Sequence, residues 1–498
     1  MLGPTTGRAD YRDAQVAVVV SVTWVGRTWR VSQQALTVGA VDVVPGLVEA
    51  PEVSDEISLE AGGDIGVSVP VAFVLPVVDV LGLVDAGYDP ADMRLEVAWV
   101  WHRNGVAVHE WAARDVRAEG SAIEPVWGAP DQPAGYIACT VEDSPYRTER
   151  PLCRWAWEVS GSTWATSPEQ GARYPLVMGR PDPLAAGGGP PAPVLTQTGT
   201  PNNLTALVSI GWCSATAVTL IDTSGTADVL DITYESDSLG QVCAIVDLTG
   251  SALDRTDGTT YTTAWTAGAA LAPMGGQGPL HLAAYLLAVG GAAIALPEWL
   301  SAATLLRLEV GGWVNDPETM AWEVARDLLS GLPVTMRRSR DGWAPVIIDP
   351  ALAEYLTETA WDEGGPYRQV SAWTEASGTR AAQVEVSSDG GEVRVGASLL
   401  RDAGLPHAWV RHLPQTDEIG QHASWSWRAS APRRLAAWQA RIGAMGWEVA
   451  AFQVPPEWAI EQAGQWVYLS GDDRYALVVR RTLSGGVWDY SLARPRGR

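Results

Sequence analysis

The chain has 498 residues, 47% hydrophobic and 18% charged. That balance excludes a disordered tail and leaves room for about three or four domains of ordinary size. Its formal net charge of −24 excludes a basic nucleic-acid groove, because phosphate contacts need clustered cations. A carboxylate-lined duct would let DNA pass without sticking; simple solubility is the other reading of the same charge.

All 34 basic residues are arginine, and 25 tryptophans stand against 2 phenylalanines, Phe73 and Phe452. Codon bias in a GC-rich genome accounts for this, and a tryptophan-rich sugar-binding surface is the sharper alternative. Cys139, Cys153, Cys213 and Cys243 show no CxxC pair and no metal-ligand spacing, so they read as buried thiols. A Cys213–Cys243 disulfide across paired strands is the alternative. The first residues, MLGPTTGRADYRDAQ, lack the basic and apolar regions of a signal peptide.

Glycine and proline recur between short apolar runs, the mark of a strand-rich protein. Gln15 to Trp24 reads as a strand, with Thr28 to Val38 as its partner. Gly66 to Leu75 alternates as a half-buried strand should, and Pro76 opens a short helix ending at a glycine. Leu95 to His102 and Val106 to Trp111 form a hairpin across Asn104-Gly105, a pair that tolerates positive φ at both turn positions. A second hairpin joins Ala122 to Trp127 with Tyr136 to Val141. These strands predict a compact antiparallel barrel or sandwich.

Gly179 to Pro193, GRPDPLAAGGGPPAP, reads as a linker. Val194 to Thr266 follows as a small all-β unit. The apolar stretch Leu280 to Leu300 is long enough to span a bilayer, but Gly290, Gly291, Pro297 and His281 interrupt it, and helices packed inside the protein are expected instead. The helix predicted over Pro317 to Leu329 puts Met320, Ala321, Val324 and Leu328 on one face, with Asp316 as its N-cap. Strands then return at Val334 to Arg338, at Ala344 to Ile348, and in a hairpin of Ala382 to Val386 with Glu392 to Val395. Pro432 to Ala444 reads as a helix. Gly464 to Ser470 is a strand, and Tyr475 to Thr482 pairs with Val487 to Arg494, with Trp488, Tyr490 and Leu492 on one face.

Catalytic signatures are absent: no GxSxG elbow, HExxH, Walker loop or strand-to-helix GxGxxG. His407, His412 and His422, with Asp417 and Glu418, come closest to a metal cluster, at a spacing that matches no ligand pattern. Carboxylate pairs such as Asp472-Asp473 are too common among 58 acidic residues to indicate glycosidase chemistry. Trp101, Trp127, Trp155, Trp157, Trp425 and Trp427 read as core residues at alternating strand positions, with sugar-stacking shelves as the alternative. No catalytic, cofactor-binding or metal residue is assigned, no cofactor is expected, and the chain reads as a non-enzyme.

Three stretches resemble the tail hub, or baseplate hub, family of phages. Gly311 to Ile348, GGWVNDPETMAWEVARDLLSGLPVTMRRSRDGWAPVII, is similar to that family's helix-then-strand module with its "LLPxLPV" and "DGxxPV" patterns. Pro191 to Gly250 is similar to an inserted β domain. Gly464 to Pro495 resembles the closing barrel with its "GDxV" strand, although Gln465 stands where the family pattern has aspartate. The resemblance implies a mainly β, multidomain chain with α+β parts: two tube-like β-barrel domains (1–178 and 411–498), an inserted small β domain (194–270) and a helix-plus-strand module (279–410). It also implies a homotrimer whose six barrels form a ring, adapting a sixfold tube to a threefold tip and conducting DNA without specific binding. The implied partners are a tail tube or distal tail protein, a tape-measure protein, and a spike or fibre protein. The implied place is the virion tail tip, after assembly in the host cytoplasm, with no membrane span. Some relatives bind an iron–sulfur cluster, for which these four cysteines are too scattered. A carbohydrate- or receptor-binding tail protein and a wall-cleaving glycoside hydrolase are the rival readings.

Overall fold

The computed structural model describes residues 14–59, 66–127, 131–146, 217–236, 242–253, 260–264, 278–308, 310–314, 319–330, 332–362, 365–376, 381–388, 391–395, 415–419, 425–427, 446–455, 461–484 and 487–495, with short strands between 154 and 208. The fold is mainly β, with a closed six-stranded barrel, a half-barrel and a few helices.

Apolar alternation builds the barrel. Strands β1 (Gln15–Trp24), β2 (Arg27–Ser32), β3 (Leu36–Val38), β4 (Val41–Pro45), β6 (Val67–Val74), β7 (Arg94–Arg103), β8 (Val106–Ala107), β9 (Asp115–Trp127) and β10 (Tyr136–Asp143) form one sheet; β5 (Ser54–Glu56) leaves it for another. The order β1-β2-β4-β3-β8-β7 returns to β1, closing six strands around Val19, Leu36, Val38, Val43 and Val100. Beyond β7 the sheet continues through β9 and β10 to β6. Residues 46–48 tie β6 back to β2: Gly46 N donates to Ser32 O, Val48 N donates to Ala72 O, and Leu47 bridges Phe73. Helix α1 (Val77–Asp85) packs Val80 and Leu83 into the same core as β6 and β7.

The expected Asn104-Gly105 turn is present, with φ of 52° and 82°, the positive pair that matches hairpin twist. Its second strand is only Val106–Ala107, because Trp111–Ala113 turns into a 3₁₀ helix. Cys139 faces the core as a buried free thiol. The Cys213–Cys243 pairing lies outside the described residues, as do the helix expected over Pro432 to Ala444 and most of the linker.

The small β unit has Pro191–Gln197 between Leu204–Val208 and Thr260–Ala264, in an antiparallel sheet. The apolar stretch Leu280 to Leu300 falls in two helices, α2 (Pro279–Val289) and α3 (Leu296–Leu306), parted by Gly291 at φ 96°. Among the described residues no helix is long and apolar enough to cross a membrane. Helix α4 (Ala321–Ser330) buries Ala321, Val324, Ala325, Leu328 and Leu329 against α2 and the hairpin of β11 (Val334–Ser339) and β12 (Gly342–Ile347). The expected cap, Asp316, lies outside the described residues; Glu323 Oε2 instead accepts from Met320 N at 2.8 Å.

The last region is a half-barrel rather than the closed barrel the resemblance implies. Strands β13 (Thr357–Trp361), β14 (Trp447–Val454), β15 (Trp466–Leu469), β16 (Arg474–Ser484) and β17 (Val487–Pro495) run in the order β13-β15-β16-β17-β14, with Arg368–Gln369 at the far edge. Its strands therefore begin before residue 411. The inner face carries Trp488, Tyr490 and Leu492, as their alternation predicts, and shares one core with the barrel residues Trp99, Val97 and Val20. Neither sheet could bury those side chains alone, so the two ends of the chain meet face to face.

Candidate functional site: the charged seam between the two β units

The site begins with β5. Its three residues, Ser-Asp-Glu, pair with β16 of the half-barrel, Asp55 opposite Arg481. An N-terminal segment thus completes a C-terminal sheet.

Two β-bulges supply its partners. In β9 the register against β7 moves from Val97↔Ala118 to Ala98↔Val116, so Arg117 is an extra residue and Asp115 turns to the core face. In β16 the register against β17 moves from Val478↔Leu492 to Arg480↔Ser491, so Arg481 joins the face of Val478. A bulge re-aims the side chains that follow it. Here both bulges deliver charge to a place that strict alternation would leave apolar.

The result is a closed ring of four ions. Asp55 Oδ2 accepts from Arg481 Nε at 2.7 Å, and Arg481 Nη2 donates to Asp115 Oδ2 at 2.9 Å. Asp115 Oδ1 accepts from Arg117 Nη2. Arg117 Nη1 lies 3.0 Å from Asp55 Oδ2, an ion pair without hydrogen-bond alignment. Ala463 N donates to Asp55 at 3.1 Å. All four side chains are buried. Burial alone would raise the Asp55 pKa, but Arg117, Arg481, the Ala463 N–H and Arg337 together hold it below the ordinary carboxylate value. Burial likewise works against the charged form of Arg481, yet Asp55 and Asp115 raise its pKa. Both guanidiniums lie over the Trp99 ring, at 5.2 and 4.9 Å, and Trp99 meets Trp488 edge-on at 4.7 Å.

A second anchor joins the hairpin to both units. Consecutive residues of β11 point to opposite faces. Arg338 donates to Asp143 Oδ2 at 2.8 Å and to Glu119 at 3.3 Å on the barrel, and Trp343 Nε1 donates to Asp143 Oδ1. Arg337 turns the other way, to Gln462 at 3.0 Å, Ala463 O and Glu298. The hairpin is a two-sided wedge. A cleft of about 320 Å³ opens beside it, lined by Arg94, Glu119, Ser121, Glu142, Arg338 and Trp343 among others. Among its lining charges Arg338 is paired with Asp143 and Glu119.

No protein-family model matches the sequence, and no curated protein matches it. Among solved structures, a chain of the virion of a native gene transfer agent particle is similar at 12% identity, over 53% of this chain and 85% of that chain, with a TM-score of 0.18. A score of that size does not establish a shared fold.

Residues singled out in the sequence fall elsewhere. His407, His412 and His422 lie outside the described residues, and Asp417 and Glu418 are placed only as part of the strand Gln415–Ile419. Among the described residues no cluster of His, Cys, Asp and Glu could hold a metal ion. Asp472 and Asp473 sit in a surface turn, pairing with Arg494 and Tyr468. Trp101 is buried, whereas Trp127 is 40% exposed; Trp425 and Trp427 lie in a short strand, and Trp157 lies outside the described residues. Trp24, Trp99, Trp299, Trp343 and Trp488 are fully buried, so these five serve the core and not a sugar-stacking shelf. Sequence reasoning missed the ion ring altogether. Its one local sign is the pair Asp115 and Arg117 in a strand, where two buried charges are costly unless paired.

Proposed function

We propose that this chain is a structural protein of the tail of a bacteriophage or phage-like particle, and not an enzyme. Within that reading it is the hub at the tail tip. Three copies form a ring that adapts a sixfold tube to a threefold tip and lets DNA through without binding it. Its neighbours are a tail tube or distal tail protein, a tape-measure protein and a spike or fibre protein.

The observation that carries the reading is the seam. A barrel from one end of the chain and a half-barrel from the other are locked face to face by the Asp55–Arg117–Asp115–Arg481 ring. A ring-forming adaptor needs two β units held at a fixed angle, because three subunits supply six positions only if each contributes two. The charge of −24 suits a duct that must not hold phosphate.

Electron microscopy and mass measurement of the purified protein test the proposal. A trimeric ring with a central opening is expected. A strict monomer that joins no tube protein, or turnover of host wall polysaccharide by the chain alone, would count decisively against it.

A further inference from the structure

The seam joins unlike surfaces, and each unit keeps an open flank beyond it. On the barrel unit, this flank is the outer side of three neighbouring strands, β6, β10 and β9, and the segment 46–48 beside them. Val48 lies beside Ala72, Ala72 pairs with Ala138, and Ala138 pairs with Val126. Val48 and Val126 are 50% and 56% exposed, and Ala72 and Ala138 are half-buried. This row carries no charge, in a chain with 92 charged side chains (34 basic and 58 acidic). Contiguous apolar surface of this kind marks an interaction site. At its corner Glu124, at φ 49°, turns outward from the bulge in β9. On the half-barrel, the open flank is the free edge at Arg368–Gln369, where Arg368 is exposed and Val370 is 47% exposed.

We propose that the barrel face around Ala72 and Ala138 of one copy packs against the half-barrel edge around Val370 of a second copy. The inference rests on the ring reading above and names the two surfaces that close it. Three features select a second copy as occupant. The flanks belong to the two unit types that already pack on each other inside the chain. An apolar centre on the face meets an apolar Val370 on the edge, and Glu124 at its corner is opposite in sign to Arg368. A contact between unlike surfaces repeats from copy to copy, and it closes into a ring when the rotation between copies is one third of a turn. Two equally acidic chains also need a charge-free contact area, since salt screens charges only beyond about 8 Å.

Sedimentation of two variants and of their mixture tests this. Ala72→Glu/Ala138→Glu spoils the face and leaves the edge; Val370→Glu spoils the edge and leaves the face. Each variant alone is expected to fall to one third of the wild-type mass. An equimolar mixture is expected to give a particle of two chains, because one good face meets one good edge and the ring cannot close. Circular dichroism shows whether each variant keeps the wild-type fold, and with both folded the absence of that mixed particle overturns the inference. Variants that stay trimeric overturn it too, while leaving the ring reading intact. A wild-type protein that is not trimeric defeats the ring reading itself.

Discussion

Asp55 is the residue on which the two β units turn. It is buried, it touches two guanidiniums and a backbone N–H, and its Arg481 partner lies 426 residues away in sequence. Removing one member of a buried ion pair strands the others without water, at a cost of about 3–5 kcal/mol. Asp55→Ala is therefore expected to lower stability by about that amount in denaturant unfolding; a loss below about 1 kcal/mol would show that solvent reaches the ring. The sign of the pH effect follows from the depressed pKa. Asp55 contributes stability above the pKa it has in the unfolded chain, and loses it as pH falls through its lower folded value. Stability measured from neutral to strongly acid pH is expected to drop on the acid side of the ordinary carboxylate range, with that part of the drop absent in Asp55→Ala. Cys139 makes a separate prediction. Burial pushes its thiol up to about 12, so the reactive thiolate is scarce at neutral pH. A disulfide reagent should leave Cys139 unmodified in the native protein and modify it on unfolding, as peptide mass mapping would show.

At the scale of elements, the hairpin wedge depends on close backbone approach at Gly342. Its φ is 128°, and a Cβ there would stand 2.6 Å from the backbone of Ala293. That space is used by Trp343 N, which donates to Ala293 O at 2.8 Å, and by Ala295 N, which donates to Trp343 O at 2.9 Å. Gly342→Ala is expected to cost about 1–3 kcal/mol and to speed hydrogen exchange at Trp343 and Ala295. Unchanged exchange there would mean that the loop after α2 yields without strain. Elements like this hairpin were legible in the sequence because their signals are local: Asp341-Gly342 for the turn, alternation for the strands, Asn104-Gly105 for the barrel hairpin. Trp488, Tyr490 and Leu492 were legible as one buried face for the same reason. β5 was not. Ser-Asp-Glu has no strand propensity, and its partner comes from the other end of the chain. The bulges at Arg117 and Val479 were equally hidden, since alternation assigns a side chain to a face only while the register runs unbroken. Nor does alternation tell a closed barrel from an open one: closure here rests on β1 pairing with both β2 and β7, and the strand pattern of β1 does not say how many partners it has.

At the scale of the molecule, sharing a core between the two chain ends has a thermodynamic consequence. Trp99 of the barrel and Trp488 of the half-barrel meet at 4.7 Å, the ion ring spans the same boundary, and Arg337 and Arg338 tie the hairpin to each side. Opening that boundary would expose the shared apolar face and strand four buried charges at once. The half-barrel therefore has no low-energy way to detach while the barrel stays folded. Native-state hydrogen exchange reads this directly. Amides in the centre of β1 and β7 and amides in the centre of β16 and β17 are expected to open at the same free energy and to respond equally to denaturant. Asp55→Ala should lower both together. If β16 and β17 exchange through an opening several kcal/mol cheaper than that of β1 and β7, the two units are separate lobes, and the seam is a contact that forms after each has folded. A fixed angle between units, which the ring requires, would then have to come from neighbouring copies and not from within the chain.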